Sequence, residues 1–375
     1  MRPAQKSNFQ ASGHLIHCLI STQAGAIASL KDEIAEHKQK NAVLSVVVEA
    51  SDGTGSVFEV DCVLAPDACQ ATKYDKVSPF ALASLHGHDA AIMSYGQTGS
   101  GKTYSMLGAP SGAQRGVIPR VLEDVMAYFA QMEKEGWTYG MTMVYVQIYK
   151  EKLYDLLVPP KKIGYGGIEA SSGMEIKQAG AHVHIKGATE KKVDLDDPDF
   201  LEATLAEATP RRVVASTEAN AESSRSHAVI VLTMTGTHAD RGEEVRGTLT
   251  LVDLAGSESA SSAVGQRLTE AKSINKSLTE LNNVFDALAR KQDHVPYRNS
   301  LLTSLLKPAL SHGKALVLTN VSPEPEFAAE TEKSLLFAQR VRKVELGKAR
   351  RDVKYKGSGT AAGAKRTASR GGRRA

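Results

Sequence analysis

Eight residues carry the most specific chemistry in this chain. Gly96, Gln97, Thr98, Gly99, Ser100, Gly101, Lys102 and Thr103 form G-x-x-x-x-G-K-[ST]. Glycines at those positions let the backbone take turns closed to residues with a Cβ. The loop amides then converge on one point at the positive end of a following helix, which suits an anion. Lys102 adds a point charge for β- and γ-phosphates, and the Thr103 hydroxyl is a ligand for Mg²⁺.

A second element supports the first. Gly247 to Leu254 is an apolar strand, and Asp253-Leu254-Ala255-Gly256-Ser257-Glu258 closes it. An acid at a strand end can hold a metal through water, and a glycine three residues on can offer its amide to a terminal phosphate. Asn220-Ala221-Glu222-Ser223-Ser224-Arg225-Ser226-His227 precedes a further apolar strand, Ala228 to Met234. His227 reads as packing behind this segment and not as a metal ligand.

These side chains need elements to place them. Ala90-Ala91-Ile92-Met93 reads as a buried parallel strand before the loop, and Tyr104-Ser105-Met106-Leu107 as a helix start after it. Helices are expected over Ala24 to Lys40, Tyr74 to Leu85, from Gly116 onward, over Glu151 to Leu157, Asp197 to Ala208, Leu268 to Arg290, Ser300 to Leu310 and Glu330 to Val344. Pro308 should end or kink its helix early. Further strands are expected at Val43 to Val48, Val57 to Val60, Met141 to Tyr149, Val183 to Ile185 and Lys314 to Val321, with Asp52-Gly53 as a hairpin turn. Gly164 to Gly173 reads as a flexible loop. Together they predict a three-layer α/β P-loop NTPase fold, a central, mostly parallel sheet with helices on both faces.

The 375 residues suffice for one large α/β domain. Hydrophobic and charged contents of 42% and 23% are those of an ordinary globular protein. Cys18, Cys62 and Cys69 show neither metal spacing nor a disulfide framework. With no bilayer-length apolar run and no signal-peptide pattern, no membrane partner and a cytoplasmic setting are expected. The net charge of +4 hides an asymmetry. From Arg342 to Ala375 there are 12 basic residues against two acids, leaving 34 basic against 40 acidic in the remainder. Residues 353–375 have a composition that builds no core and are expected to be disordered. No heptad stalk specifies an oligomer.

In order along the chain, these motifs resemble those of the kinesin motor domain. The resemblance rests on Tyr95 to Thr103, on Asn220 with Ser223 to His227, and on Asp253 to Glu258. Glu270 to Leu278 and His294-Val295-Pro296-Tyr297-Arg298 extend it. It divides the chain into a divergent segment 1–57, a motor core 58–345 and a basic tail 346–375. It implies an ATPase that uses ATP and Mg²⁺ and is stimulated by microtubules as its partner on the cytoskeleton. Ser224 would help hold Mg²⁺ and the γ-phosphate, and Gly256 would sense that phosphate. Arg225 and Glu258 would bridge the two switches around the attacking water, and Asp253 would hold the metal through water. Tyr104 takes the adenine-stacking position. Arg2-Pro3 resembles the remnant of the family's first strand, with Pro3 on the adenine and an insertion before residue 57.

The departures from the family lie on the expected microtubule face. Ser259 to Val264, after Glu258, carries no basic residue and is about two residues short of the family pattern. Leu301 and Ser304 stand where the family usually has Lys and often Arg, and Gln147 and Lys150 replace Glu and Asn. Arg290, Lys291, Arg298 and the basic tail remain for an acidic filament. An alternative is a nucleotide-binding microtubule tether with weak or no motility. Thr72-Lys73-Tyr74-Asp75 resembles a guanine-reading motif, but it precedes the phosphate loop and is read as chance.

Overall fold

The computed structural model describes residues 17–22, 44–49, 55–65, 67–159, 162–163, 167–168, 170–171, 173–197, 199–212, 222–258 and 266–355. In chain order the first elements are β1 (His17–Thr22), β2 (Leu44–Glu49), β3 (Gly55–Val60), β4 (Cys62–Leu64), α1 (Gln70–Leu85), β5 (Asp89–Tyr95), α2 (Lys102–Met106) and α3 (Val117–Glu133). Next come β6 (Trp137–Tyr149), β7 (Lys152–Asp155), β8 (Lys162–Ile163), β9 (Gly167–Ile168), β10 (Glu175–Ala179), β11 (His182–Lys186), β12 (Lys191–Lys192) and α4 (Phe200–Ala208). The last are β13 (His227–His238), β14 (Glu243–Asp253), α5 (Gln266–Ala289), α6 (Leu301–His312), β15 (Lys314–Val321), α7 (Ala328–Arg342) and β16 (Asp352–Tyr355).

The central sheet runs β12-β6-β13-β14-β5-β15-β1-β4, with β7 added to β6 and β16 to β14. Its pairs are parallel from β14 through β5, β15 and β1 to β4, and antiparallel from β12 to β14. The expected α/β layering holds, and the sheet is mixed. Its parallel half carries the phosphate loop, which follows β5, a central strand buried throughout. Along β5 the pleat sends Ala91, Met93 and Tyr95 to a core shared with α5, α6 and α7. Ala90 and Ile92 point to the opposite core, shared with α1, α3 and α4. Burial on both faces accounts for the unbroken apolar run of this strand.

Several elements depart from expectation. Glu151 to Leu157 is not a helix: Lys152–Asp155 pairs back on β6, with Tyr149 opposite Lys152. Lys150 and Glu151 both take positive φ, 49° and 52°, the conformation of a two-residue hairpin turn. The turn is stabilised from outside, since the Glu151 carboxylate accepts from the Leu301 amide at the start of α6 (2.9 Å). Pro308 does not end its helix, which runs on to His312. Burial of Leu302, Leu305, Leu306 and Leu310 outweighs the one missing hydrogen bond. Inside the expected loop Gly164–Gly173, Gly167–Ile168 pairs with Lys162–Ile163.

At the N-terminal end, His17–Thr22 is an inner strand between β15 and β4, a role that the Arg2-Pro3 reading did not foresee. The β2–β3 hairpin forms as a separate two-stranded sheet. The expected helix Ala24–Lys40, the Asp52-Gly53 turn and Arg2-Pro3 lie outside the described residues. At the other end, Val353 to Tyr355 belong to β16, so disorder does not begin at residue 353 as composition suggested. Val353 lies opposite Val245 in the ladder. Around it, Arg350 N donates to His312 O (2.7 Å) and Asp352 N to Gly87 O (2.8 Å). Composition could not show these backbone partners.

α1 crosses β14 at very close range. A Cβ on Gly247 would lie 1.8 Å from the Ser84 carbonyl oxygen, a backbone atom that cannot swing aside. Gly247→Ala is therefore expected to cost about 2–3 kcal/mol of stability, read as a lowered chemical-denaturation midpoint. A midpoint equal to that of the unaltered chain would contradict this packing.

Candidate functional site: a phosphate loop between two switch segments

The loop between β5 and α2 has the geometry its sequence calls for. Gly96, Gly99 and Gly101 take φ of 145°, 82° and 92°. Gly96 is also hemmed in by β15, since a Cβ there would lie 2.0 Å from the Asn320 carbonyl oxygen. No other residue type fits that corner. Lys102 is buried, and its Nζ donates to Gln97 O (2.7 Å). Burial pushes the Lys102 ammonium down to about 8, against the opposing pull of Asp253 and Glu258. A dianionic or trianionic phosphate group would favour the charged form.

The Asp253 carboxylate, at the end of β14, is the hub beneath the loop. It accepts from Thr103 Oγ1 (2.7 Å), from Ser94 Oγ (3.1 Å) and from Arg212 Nη1 (2.5 Å). Asp253 and Arg212 are both buried. A threonine hydroxyl touching a carboxylate, at the mouth of an amide nest, is an oxygen donor set that fits Mg²⁺. Thr103 would ligate the ion directly, and Asp253 would hold one of its waters.

The two switch segments meet each other and the loop through the backbone. Gly256 N donates to Ser224 O (2.8 Å), and Ser257 N donates to Gly96 O (3.1 Å). Glu258 reaches back to the loop, where its carboxylate accepts from Thr98 N (2.9 Å) and from Thr98 Oγ1. Ser224 and Arg225 close a short 3-10 turn, Glu222–Arg225, at the entry to β13. Hydrogen bonds thus link the loop to Asp253 and Glu258, and Gly256 to Ser224, with Arg225 next to Ser224 in the chain. Tyr104 sits two residues past Lys102, 43% exposed at the rim. Pro3 lies outside the described residues.

His227 packs as expected. It is buried, its Nδ1 accepts from Ala255 N (3.0 Å), and its Nε2 faces Ser277 Oγ (2.7 Å) on α5. The Ala255 contact fixes the neutral tautomer, so Nε2–H donates to Ser277. It thereby joins the strand after one switch to the segment of the other and to α5. Among the described residues no group of three His, Cys, Asp or Glu side chains could hold a metal by itself. Trp137 packs in an aromatic cluster with Tyr139 and His238, far in sequence from the switches.

Arg212 is the residue that sequence reasoning missed. Besides Asp253, its guanidinium donates to Ser226 O (2.8 Å). It follows Pro210-Arg211 in a stretch with no periodic pattern, and only its burial against an acid 41 residues away marks it.

On the other side of the sheet, Arg290, Lys291 and Arg298 are exposed, as an interaction face requires. Lys291 already pairs with Glu345 (2.9 Å). Leu301 and Ser304 are committed to the start of α6. Leu301 N donates to Glu151, and Ser304 Oγ donates to Ser300 O (2.8 Å). Ser259 to Val264 lie outside the described residues. No helix among the described residues is long and apolar enough to cross a membrane.

A glycine-rich loop after a central strand, a lysine within it and an acid at the end of the adjacent strand define a P-loop nucleoside-triphosphatase fold. Comparison makes the class specific: the pattern of the kinesin motor domain matches residues 1–344, and the chain belongs to that family. It is 41% identical over 313 residues to Protein claret segregational of Drosophila melanogaster, covering 82% of this chain and 42% of that protein. It is 39% identical over 314 residues to Kinesin-like protein KIN-14C of Arabidopsis thaliana, covering 81% and 39%. The chain thus spans about two fifths of the length of these relatives. Among solved structures it is similar to a KIF14 dimer in a two-heads-bound AMP-PNP state in complex with a microtubule. That likeness has a TM-score of 0.77 and 28% identity, over 91% of this chain and 97% of the other. The motor domain of the Kar3-like kinesin from Ashbya gossypii gives a TM-score of 0.72 and 29% identity, over 87% and 99%.

The His227 site has a consequence for pH. Burial pushes the imidazole down to about 3 from an ordinary value of 6.5, with the Arg212 charge adding to the effect. The folded chain holds His227 neutral, whereas the unfolded chain protonates it below about 6.5. Its contribution is therefore fully present above that pH and is lost as pH falls toward 3. Denaturation midpoints followed from pH 7.5 to pH 5 should fall, with His227 contributing up to about 1.4 kcal/mol per pH unit below 6.5. In His227→Gln the fall should be shallower by that amount. Parallel curves for the two proteins would show that His227 is charged in the fold.

Proposed function

We propose that this chain is the motor domain of an ATP-dependent microtubule motor, hydrolysing Mg²⁺-ATP in the cleft between β5, β13 and β14. The observation that carries this reading is the meeting of Thr103, Asp253 and Lys102 under the glycine loop. It occurs in a chain that follows the kinesin motor-domain pattern to residue 344. The amides of residues 98–103 would hold the phosphates, with Lys102 leaving Gln97 O for the β- and γ-oxygens. Mg²⁺ supplies charge neutralisation when bound, held by Thr103 and Ser224 and, through water, by Asp253.

The switches then have a plain task. Gly256 N would exchange the Ser224 carbonyl for a γ-phosphate oxygen. Glu258 would exchange Thr98 for Arg225, and the resulting pair would enclose the attacking water. Each exchange replaces polar contacts with other polar contacts, so the phosphate can decide it. A cytoskeletal, cytoplasmic place follows from the partner.

The filament face would be α5, α6 and the turn between them, with Arg290, Lys291 and Arg298 meeting an acidic surface. Their number is small for such a face. The basic tail supplements it through counterion release and raised local concentration. Part of the basic segment is docked on the fold. Arg342 pairs with Glu59 (2.6 Å) and Asp61 (3.4 Å), and Arg351 donates to His86 O (2.7 Å). Beyond Lys356 there remain Lys365, Arg366, Arg370, Arg373 and Arg374.

Steady-state ATP turnover, with and without microtubules, tests the reading. Turnover should rise on addition of microtubules, and Lys102→Ala should bring it to background in both conditions. A Lys102→Ala protein as active as its parent would remove the phosphate loop from the mechanism. The tail calls for a cut after Lys356, which spares β16. At low salt this truncation should weaken co-sedimentation with microtubules several-fold, and the difference should shrink as salt screens the tail. Superimposable low-salt binding curves would assign filament affinity to the folded face alone.

A further inference from the structure

The rim aromatic Tyr104 is held from three sides. Its backbone carbonyl accepts from Gln70 Nε2 (2.7 Å), and its hydroxyl donates to Gln114 Oε1. The ammonium of Lys73 lies over one face of the ring, 5.7 Å from the centroid. Gln70 and Lys73 share the first turn of α1, and both are buried, at 2% and 6% exposure. Tyr104 itself remains 43% exposed. A ring with a cation over one face and its tip pinned offers solvent its other face.

Lys73 has no evident structural reason to be a lysine. Among the described residues it makes no side-chain hydrogen bond and no ion pair with a carboxylate. Burial pulls its ammonium below the usual lysine range, only partly opposed by Cys69. A buried cation without a carboxylate is costly, and an apolar residue of similar length would suit the helix better. What the cation does contact is the Tyr104 ring. A nucleotide whose phosphates sit in the loop has its base within reach of that ring, and bases stack on aromatic faces whatever their identity.

We infer that Lys73 is a positioning residue for nucleotide recognition, acting through Tyr104 as the buried layer of a cation–ring–base stack. This rests on the proposed nucleotide site and adds to it a residue that phosphate-loop chemistry does not call for. The cation fixes the ring in its stacking plane before the nucleotide arrives, so less order has to be imposed on binding. The base is gripped by stacking and not by its hydrogen-bonding edge. Asp75, the acid of the guanine-like motif, is exposed while Lys73 is buried. ATP and GTP should therefore depend on Lys73 alike.

The test is competitive displacement of a fluorescent nucleotide from the full chain by ATP, GTP and inorganic tripolyphosphate. Lys73→Met should weaken ATP and GTP by about two- to fivefold and leave tripolyphosphate, which has no base, unchanged. Lys73→Arg should restore both nucleotides. In a Tyr104→Leu background, which should itself weaken both nucleotides, Lys73→Met should add nothing. Unchanged ATP affinity in Lys73→Met would overturn the inference. So would an equal loss for tripolyphosphate, which would place the effect at the phosphates, or a loss confined to one base, which would mean edge reading. Should Lys73→Met not fold, failure of Lys73→Arg to bind like the parent would overturn it equally. A parent chain that binds tripolyphosphate but neither nucleotide would sink the ATPase reading itself.

Discussion

The Asp253 carboxylate is the point at which this molecule is tied together. It sits at the end of β14, buried, and receives hydrogen bonds from β5 through Ser94, from the phosphate loop through Thr103 and from Arg212. A buried carboxylate is tolerable only when its oxygens are fully used. Three donors from three separate stretches of chain satisfy it here. The same bonds set the loop, the strand end and the approach to Ser224 in one register. On the proposed function a carboxylate there would hold a metal's water, and folding needs the same charge to be paired.

The neighbouring bonds run between backbone groups or short polar side chains. Gly256 to Ser224, Ser257 to Gly96 and Glu258 to Thr98 each link a switch to its counterpart or to the loop. None involves an apolar anchor. The surrounding core is held by apolar packing instead. Tyr95, at the end of β5, stacks on Phe337 of α7 with centroids 3.8 Å apart, and Phe285 of α5 meets Phe337 edge-on at 5.6 Å. The strand that enters the loop is thus stacked on α7, which meets α5 in turn. Close packing of these rings ties the position of the strand to that of the helices on this face.

The C-terminal segment shows how one short strand changes the account of a tail. Asp352 bonds Gly87 O through its amide, and its carboxylate meets His182 Nε2 (2.7 Å). Asp352 to Tyr355 extends the sheet alongside the first half of β14, in line with β5. Charge composition alone had assigned these residues to a solvated end. Of the basic side chains in this stretch, Arg351 is committed to the His86 carbonyl.

The sequence by itself determined the phosphate loop, both switch motifs, the strand before the loop and the strand ending in Asp253. Those features are local: glycine placement, short strands of apolar character and an acid at the end of one are fixed by neighbours in the chain. It also carried the family resemblance, because several such motifs occur in order. Tertiary structure alone decided what distant residues do to one another. The positive φ of Lys150 and Glu151 is supported by Leu301, 150 residues away, so a stretch that reads as helix became a hairpin. Arg212 became part of the site because Asp253 needed a buried partner. Lys73, in a motif read as chance, came to lie against Tyr104 only because α1 packs beside the helix that follows the loop. Periodicity and composition report which face a residue prefers. Which partner waits on that face is set by the packing of the whole domain.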